Sequence, residues 1–332
     1  MKRTCFLLAV AAALACWTAA ADAAAGKGGG KKGGGGKPPP AKKTPATPPA
    51  PSPDPPTDSE TPPPANEPAS SSGGHGPADG FGKGATGGSG APRSVPANAG
   101  ALAGALKQGG AIQVQKGDID AAYNQIVVKD NTTLDGGGAT LWFPGTNHNG
   151  TGLSVFGKNI VLRNIRVRNS GDGIALGSAS FKGTRNVLVE NVSATGNGDD
   201  GFSCAYGASD ITLRWSMLAG NARCIFHKYG GGNLTVHHSI LTHAWIRMPL
   251  SNSAVAHVDF RNNLVQHWSM TASNCESGAK GNFVNNVYRF EAWAGGKKDC
   301  AIQAVSGGEV YASGNKFEGC SARSTNFKSS PV

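Results

Sequence analysis

The sequence predicts an all-β protein: a right-handed, single-stranded parallel β-helix of about seven to nine coils behind a disordered low-complexity segment. Three observations carry that expectation. An apolar-x-apolar strand phrase recurs from residues 132, 160, 187, 211, 234, 258 and 281, at spacings of 28, 27, 24, 23, 24 and 23. Gly and Asn punctuate the intervals, where corners need φ > 0. No 12-residue stretch carries a convincing helical stripe.

The chain opens with a basic pair, Lys2 and Arg3, then an apolar run from Phe6 to Trp17 and small residues at Ala21-Asp22-Ala23. This reads as a secretory signal peptide over residues 1–23, so the expected location is extracellular. The run is too short for a spanning helix, and no later stretch is apolar for long enough. Residues 24–98 are rich in Gly, Pro, Lys and Ser, with no period of 2 or 3.6. Such a composition buries too little apolar area to offset its ordering entropy, and predicts a disordered linker.

Residues 99–332 hold the pattern and are long enough for one domain with a real core. Residues 100–332 carry 21 Lys and Arg against 15 Asp and Glu, a net +6 of the chain's +10. A basic surface fits a polyanion, and secretion argues against nucleic acid. A monomer is expected. Five cysteines follow the signal peptide: Cys204, Cys224, Cys275, Cys300 and Cys320. A secreted chain predicts disulfides among them, with at least one thiol left over.

The recurring phrases include Thr132-Thr133-Leu134-Asp135, Ile160-Val161-Leu162-Arg163-Asn164 and Val187-Leu188-Val189-Glu190-Asn191. One coil cannot bury its inward face alone, and stacking at about 4.8 Å makes the core continuous. Asn164, Asn191, Asn262 and Asn285 share one phase of the cycle. They are expected to form an inward-facing ladder of stacked amides.

The same phase argument finds chemistry. Asp172 lies in Ser170-Gly171-Asp172-Gly173, and Asp199 with Asp200 in Gly198-Asp199-Asp200-Gly201, one coil later. Equal phase means vertical adjacency, and clustered carboxylates need a cation between them. Hard oxygen ligands at this spacing fit Ca²⁺. Arg223 follows one coil further on, with His227 and Lys228 just beyond, and Arg247 follows in Trp245-Ile246-Arg247-Met248-Pro249. Guanidinium beside a carboxylate-metal site fits a carboxylate-bearing substrate.

The run Asp210-Ile211-Thr212-Leu213-Arg214-Trp215, Arg223, Leu234-Thr235-Val236-His237-His238, Arg247-Met248-Pro249, His257-Val258 and Asn262-Asn263 resembles the pectate lyases of polysaccharide lyase family 1. The resemblance spans about residues 130–290 and rests on order and spacing. It implies Ca²⁺-assisted β-elimination of an acidic, polygalacturonate-type glycan, with an alkaline optimum. It implies that Arg247 removes the C5 proton, that Arg223 holds the substrate carboxylate, and that Asp172 and Asp200 bind calcium. Asp199 is a third candidate ligand, and Lys228 a candidate substrate contact. Three positions depart from the family pattern: Asn252 replaces a substrate-binding Arg, and Cys204 and Ser170 stand where further acidic ligands are expected. Two other readings remain open. One is a β-helix that binds a glycan or surface without cleaving it; the other is a polygalacturonase-type hydrolase using paired carboxylates.

Overall fold

The computed structural model describes residues 79–332 except 123–125, 144–149, 294, 297–299 and 325. The signal peptide and the linker up to residue 78 lie outside the described residues. Among the described residues the strands form three parallel sheets, one of eleven strands and two of nine, as a β-helix requires. The winding is right-handed, the hand that parallel crossovers adopt.

One coil shows the plan. Lys158–Arg163 lies in the eleven-stranded sheet, Arg166–Arg168 in the second, and Asp172–Leu176 in the third, before Arg185–Glu190 re-enters the first. The seven phrase starts pair in register down the long sheet, Thr132 with Ile160, then Val187, Ile211, Leu234, Val258 and Gly281. Two residues on, Leu134, Leu162, Val189, Leu213, Val236, Phe260 and Phe283 form a second inward column, all fully buried. Each such side chain contributes roughly 1.5–3 kcal/mol of burial.

The corner following each of these strands corrects the expected Asn ladder. Asn164, Asn191, Asn262 and Asn285 sit at φ 56°, 51°, 56° and 56°, so they serve as left-handed corner residues rather than inward amides. Trp215 and His238 occupy that corner in the intervening coils, with rings stacked at 4.3 Å. The buried ladder is built one residue later. Asn263 Nδ2 donates to Asn286 Oδ1 at 3.1 Å, and Asn286 Nδ2 to Asn315 Oδ1 at 3.0 Å. A second ladder, Ser170–Asn197–Asn221, runs under the next corner at 2.8 Å per step. The corner takes the residue that tolerates φ > 0, and the inward site takes the amide that can satisfy buried backbone groups.

Two N-terminal features were not expected. Ala99–Gln108 is a helix, capped by Asn98, which accepts from Ala101 N at 2.9 Å. It buries Leu102 and Leu106 against the first strands, covering apolar surface that stacking leaves open at a solenoid's end. Residues 79–98, assigned by composition to the disordered linker, belong to the folded body. They run along the outside of the long sheet, where Gly82 N donates to Thr212 Oγ1, Gly88 N to Thr133 Oγ1, and Arg93–Val95 pairs with Ile112–Val114. The ordered body therefore begins by residue 79, not 99.

The expected disulfides are also corrected at three positions. Cys204, Cys224 and Cys275 are free thiols, buried in the coil. They serve as small core side chains.

Candidate functional site

The corners entering the third sheet carry the charge. Asp172 opens Asp172–Leu176, Asp200 opens Asp200–Ala205, and Arg223 opens Arg223–Lys228. Parallel pairing sets Ile174 beside Phe202 and Asp200 beside Arg223, so the acidic residues fall on neighbouring coils as their phase predicts. Carboxylate oxygens of Asp172, Asp199 and Asp200 lie within 4.8 Å of one another.

Each carboxylate has a different surrounding. Asp172 accepts from Asp200 N at 3.2 Å and from Ser203 Oγ at 3.3 Å. Asp199 pairs with Arg223 through its Oδ1. Asp200 Oδ2 accepts from Arg247 Nη1 at 2.7 Å, while its Oδ1 is buried without a hydrogen-bond partner among the described residues. Burial is the main force on Asp200 and pushes its carboxyl up to about 7; Arg247 pulls it down, and Asp199 and Asp172 push it further up. Asp172 is raised by burial and then by Asp199.

Arg247 is placed by backbone as well as charge. It sits at φ 70°, in the left-handed region that disfavours a long side chain, and its carbonyl accepts from Ile225 N at 2.6 Å. Its guanidinium lies 4.7 Å over the Phe226 ring, and Nε is buried without a hydrogen-bond partner among the described residues. Two groups in this arrangement were not singled out from sequence: Ser203, which reaches Asp172 from the next coil, and Phe226, which floors Arg247. Their partners come from stacking, so local sequence gives no sign of them.

The structure brings together Asp172, Asp199, Asp200, Arg223 and Arg247. Lys228 stands apart, at the opposite end of Arg223's strand, five residues and so about 17 Å along it. Its ammonium lies 5.3 Å from the Tyr229 ring. Of the three departures, Cys204 is a core residue, Ser170 joins the buried ladder, and Asn252 donates to Glu276 Oε2 at 2.6 Å.

The residues present fit a hard divalent cation. Three carboxylates converge, and the buried Oδ1 of Asp200 is an acceptor for which the described residues supply no donor. Arg223 pairs with Asp199 and Arg247 with Asp200, so two of the three carboxylates are matched by a guanidinium and a bound cation would make the cluster attractive to an anionic ligand.

Fold and site together define a parallel β-helix protein with a carboxylate–guanidinium centre on one sheet. The family model described as the right-handed β-helix region matches residues 107–265. A pectate lyase from Bacillus sp. N165, solved in complex with trigalacturonate, is 17% identical, with a TM-score of 0.54 over 73% of this chain and 87% of its own. The major allergen from cedar pollen is 15% identical, with a TM-score of 0.58 over 77% of this chain and 85% of its own. At these identities the likeness is one of fold. No curated protein matches the sequence. Among the described residues no helix is long and apolar enough to cross a membrane.

Proposed function

We propose that this chain is a secreted, monomeric polysaccharide lyase that cleaves an acidic, polygalacturonate-type glycan by Ca²⁺-assisted β-elimination. The observation that carries the reading is the pairing of Arg247 with one oxygen of buried Asp200, beside Asp172 and Asp199. Asp172, Asp199 and Asp200 would hold the calcium, which would withdraw charge from a bound uronate carboxylate and acidify its C5 proton. Arg223, exposed on one side of the cluster, binds a carboxylate of the glycan through its guanidinium fork. Arg247, in the neutral form that a base requires, accepts the C5 proton; the C5–H electrons form the C4–C5 double bond, the C4–O bond breaks, and the departing glycosidic oxygen takes a proton from water. Phe226 and the Asp200 contact fix the guanidinium before substrate arrives, which lowers the ordering needed at the moment of reaction.

The test is ultraviolet absorbance of unsaturated uronide on polygalacturonate, pectin and alginate, with and without chelator. The expected result is a Ca²⁺-dependent rise on at least one polymer. New reducing ends without that absorbance would replace the lyase with a hydrolase. A second reading, binding without cleavage, is favoured by one observation: both guanidiniums already spend contacts on protein carboxylates. Binding of the polymers with neither product would establish it.

A further inference from the structure

We propose that Tyr229 and Tyr206, with Lys228, form an outlying subsite that stacks a sugar ring of the uronate chain and pairs its carboxylate. This rests on the glycan reading above and extends it across the sheet.

The turn that carries the tyrosines gives the first reason. Four coils leave the site sheet through the same two-residue turn: Tyr206-Gly207, Tyr229-Gly230, Ser277-Gly278 and Ser306-Gly307. Their first residues lie at φ 53°, 53°, 54° and 51°, and their glycines at 80°, 79°, 80° and 81°. Paired positive φ values are the demand of the mirror-type hairpin turn, for which Asn-Gly or Gly-Gly is best suited. Serine satisfies it in two coils, so the backbone does not call for tyrosine. A bulky residue held in the left-handed region is an outlier that points to a role for its side chain.

The side chains supply the second reason. The Tyr206 and Tyr229 rings lie 5.0 Å apart at 31°, and Tyr229 is 53% exposed. Burial therefore does not explain Tyr229. An exposed aromatic face with a hydroxyl edge offers the apolar side of a pyranose a platform and its hydroxyls a partner. Lys228 makes no ion pair among the described residues, and its ammonium lies over the Tyr229 ring, 5.3 Å from the centroid, from where a bound uronate carboxylate can draw it away. A cation there selects a uronate over a neutral sugar.

Continuity with the site is the third reason. Tyr229 meets Phe226 edge-on at 5.5 Å, and Phe226 in turn floors Arg247. An unbroken row thus runs from the acidic cluster to the platform. The strand between Arg223 and Lys228 spans about 17 Å, more than one sugar ring, so only an oligomer reaches both ends.

The test is calorimetric titration of the full chain with digalacturonate and hexagalacturonate, Ca²⁺ present, for wild type, Tyr229→Ser, Tyr206→Ser and Lys228→Gln, each carrying Arg247→Lys during the titration so that the ligand is not consumed, with unsaturated product assayed on the same chains without that change. Serine is chosen because Ser277 and Ser306 hold the same turn, and circular dichroism confirms folding. The expected result is a loss of about tenfold in hexagalacturonate affinity for Tyr229→Ser and Lys228→Gln, with digalacturonate affinity unchanged. Equal hexagalacturonate binding by wild type and variants, with unsaturated product still formed, would overturn the subsite and leave the lyase reading intact. Tyr229-dependent binding without unsaturated product would keep the subsite and remove the lyase chemistry. Absence of hexagalacturonate binding to wild type would remove both. A dimer seen by sedimentation that Tyr229→Ser dissolves, with sugar binding unchanged, would assign the platform to self-association and overturn the proposal.

Discussion

Asp200 uses its two oxygens differently. Oδ2 accepts from Arg247 at 2.7 Å, and Oδ1 is buried with no donor among the described residues. One carboxylate can therefore hold Arg247 and still offer an oxygen to a cation. Asp200→Asn removes the charge that serves both. Under the lyase reading it is expected to raise the Ca²⁺ concentration for half-maximal turnover more than tenfold, and full activity in excess chelator would remove calcium from the scheme. Arg247 and Arg223 separate by conservative replacement. Lysine lacks the planar fork and the fixed reach over Phe226, so Arg247→Lys is expected to collapse kcat with KM little changed. Arg223→Lys is expected to keep most of kcat with a modest rise in KM, because the ammonium keeps the charge and loses only the second hydrogen bond of the fork. Retention of kcat by Arg247→Lys would assign the base elsewhere. The acidic residues were legible in sequence because β-helix stacking turns equal phase into contact. Ser203 and Phe226 were not, because each meets its partner across coils, and nothing in the local phrase marks it.

The repeat phrase located strands well and side-chain direction poorly. All seven phrase starts are register partners in the long sheet, since alternation over four or five residues fixes the face of each strand. The corner is different. It has two consecutive Asn in Asn262-Asn263 and Asn285-Asn286, one at φ 56° and one buried, and composition alone does not tell which amide turns inward. The N-terminal strap was hidden for another reason. Its Gly-rich run buries little apolar area and is held by polar contacts with outward threonines 130 and more residues away. Asp79 adds ion pairs to Arg214 and Arg261, both at 3.1 Å. Gly82 has no room for a side chain: a Cβ would lie 2.4 Å from the Val187 carbonyl. Removal of residues 24–78 is expected to leave the melting temperature unchanged. Removal to residue 90, or Gly82→Val, is expected to lower stability by roughly 2–4 kcal/mol, from several hydrogen bonds at about 1 kcal/mol each. Equal melting temperatures for the two truncations would show that the strap contributes nothing.

At the scale of the whole molecule the stack is fixed by an apolar core, and a histidine buried against it gives the fold a dependence on acid. His227 lies fully buried within the strand that starts at Arg223. Its neutral ring satisfies both nitrogens: Nε2–H donates to Gly232 O at 2.9 Å, and Nδ1 accepts from Ser251 Oγ at 3.0 Å. Burial pushes its pKa down to about 4 from 6.5; the carbonyls of Gly232 and Gly231 resist the shift, and His257 adds to it. Above pH 6.5 neither the folded nor the unfolded chain protonates this ring, so it adds no slope. Between 6.5 and 4 the unfolded chain takes up a proton that the fold refuses, and stability falls with pH. The full loss is on the order of 3 kcal/mol, from about 1.4 kcal/mol per pKa unit. Below the folded pKa both states carry the proton and the loss stops growing. Denaturant unfolding at pH 7, 5.5 and 4.5 tests this against His227→Gln, which keeps a donor and an acceptor but does not titrate. The variant is expected to be the less stable protein at pH 7, with the gap closing as pH falls, because only wild type pays for a neutral imidazole. A gap that stays constant from pH 7 to 4.5 would remove His227 from the acid response. Imidazole resonances of His227 in the folded wild type give an independent measure, and a midpoint near 6.5 there would also overturn the account.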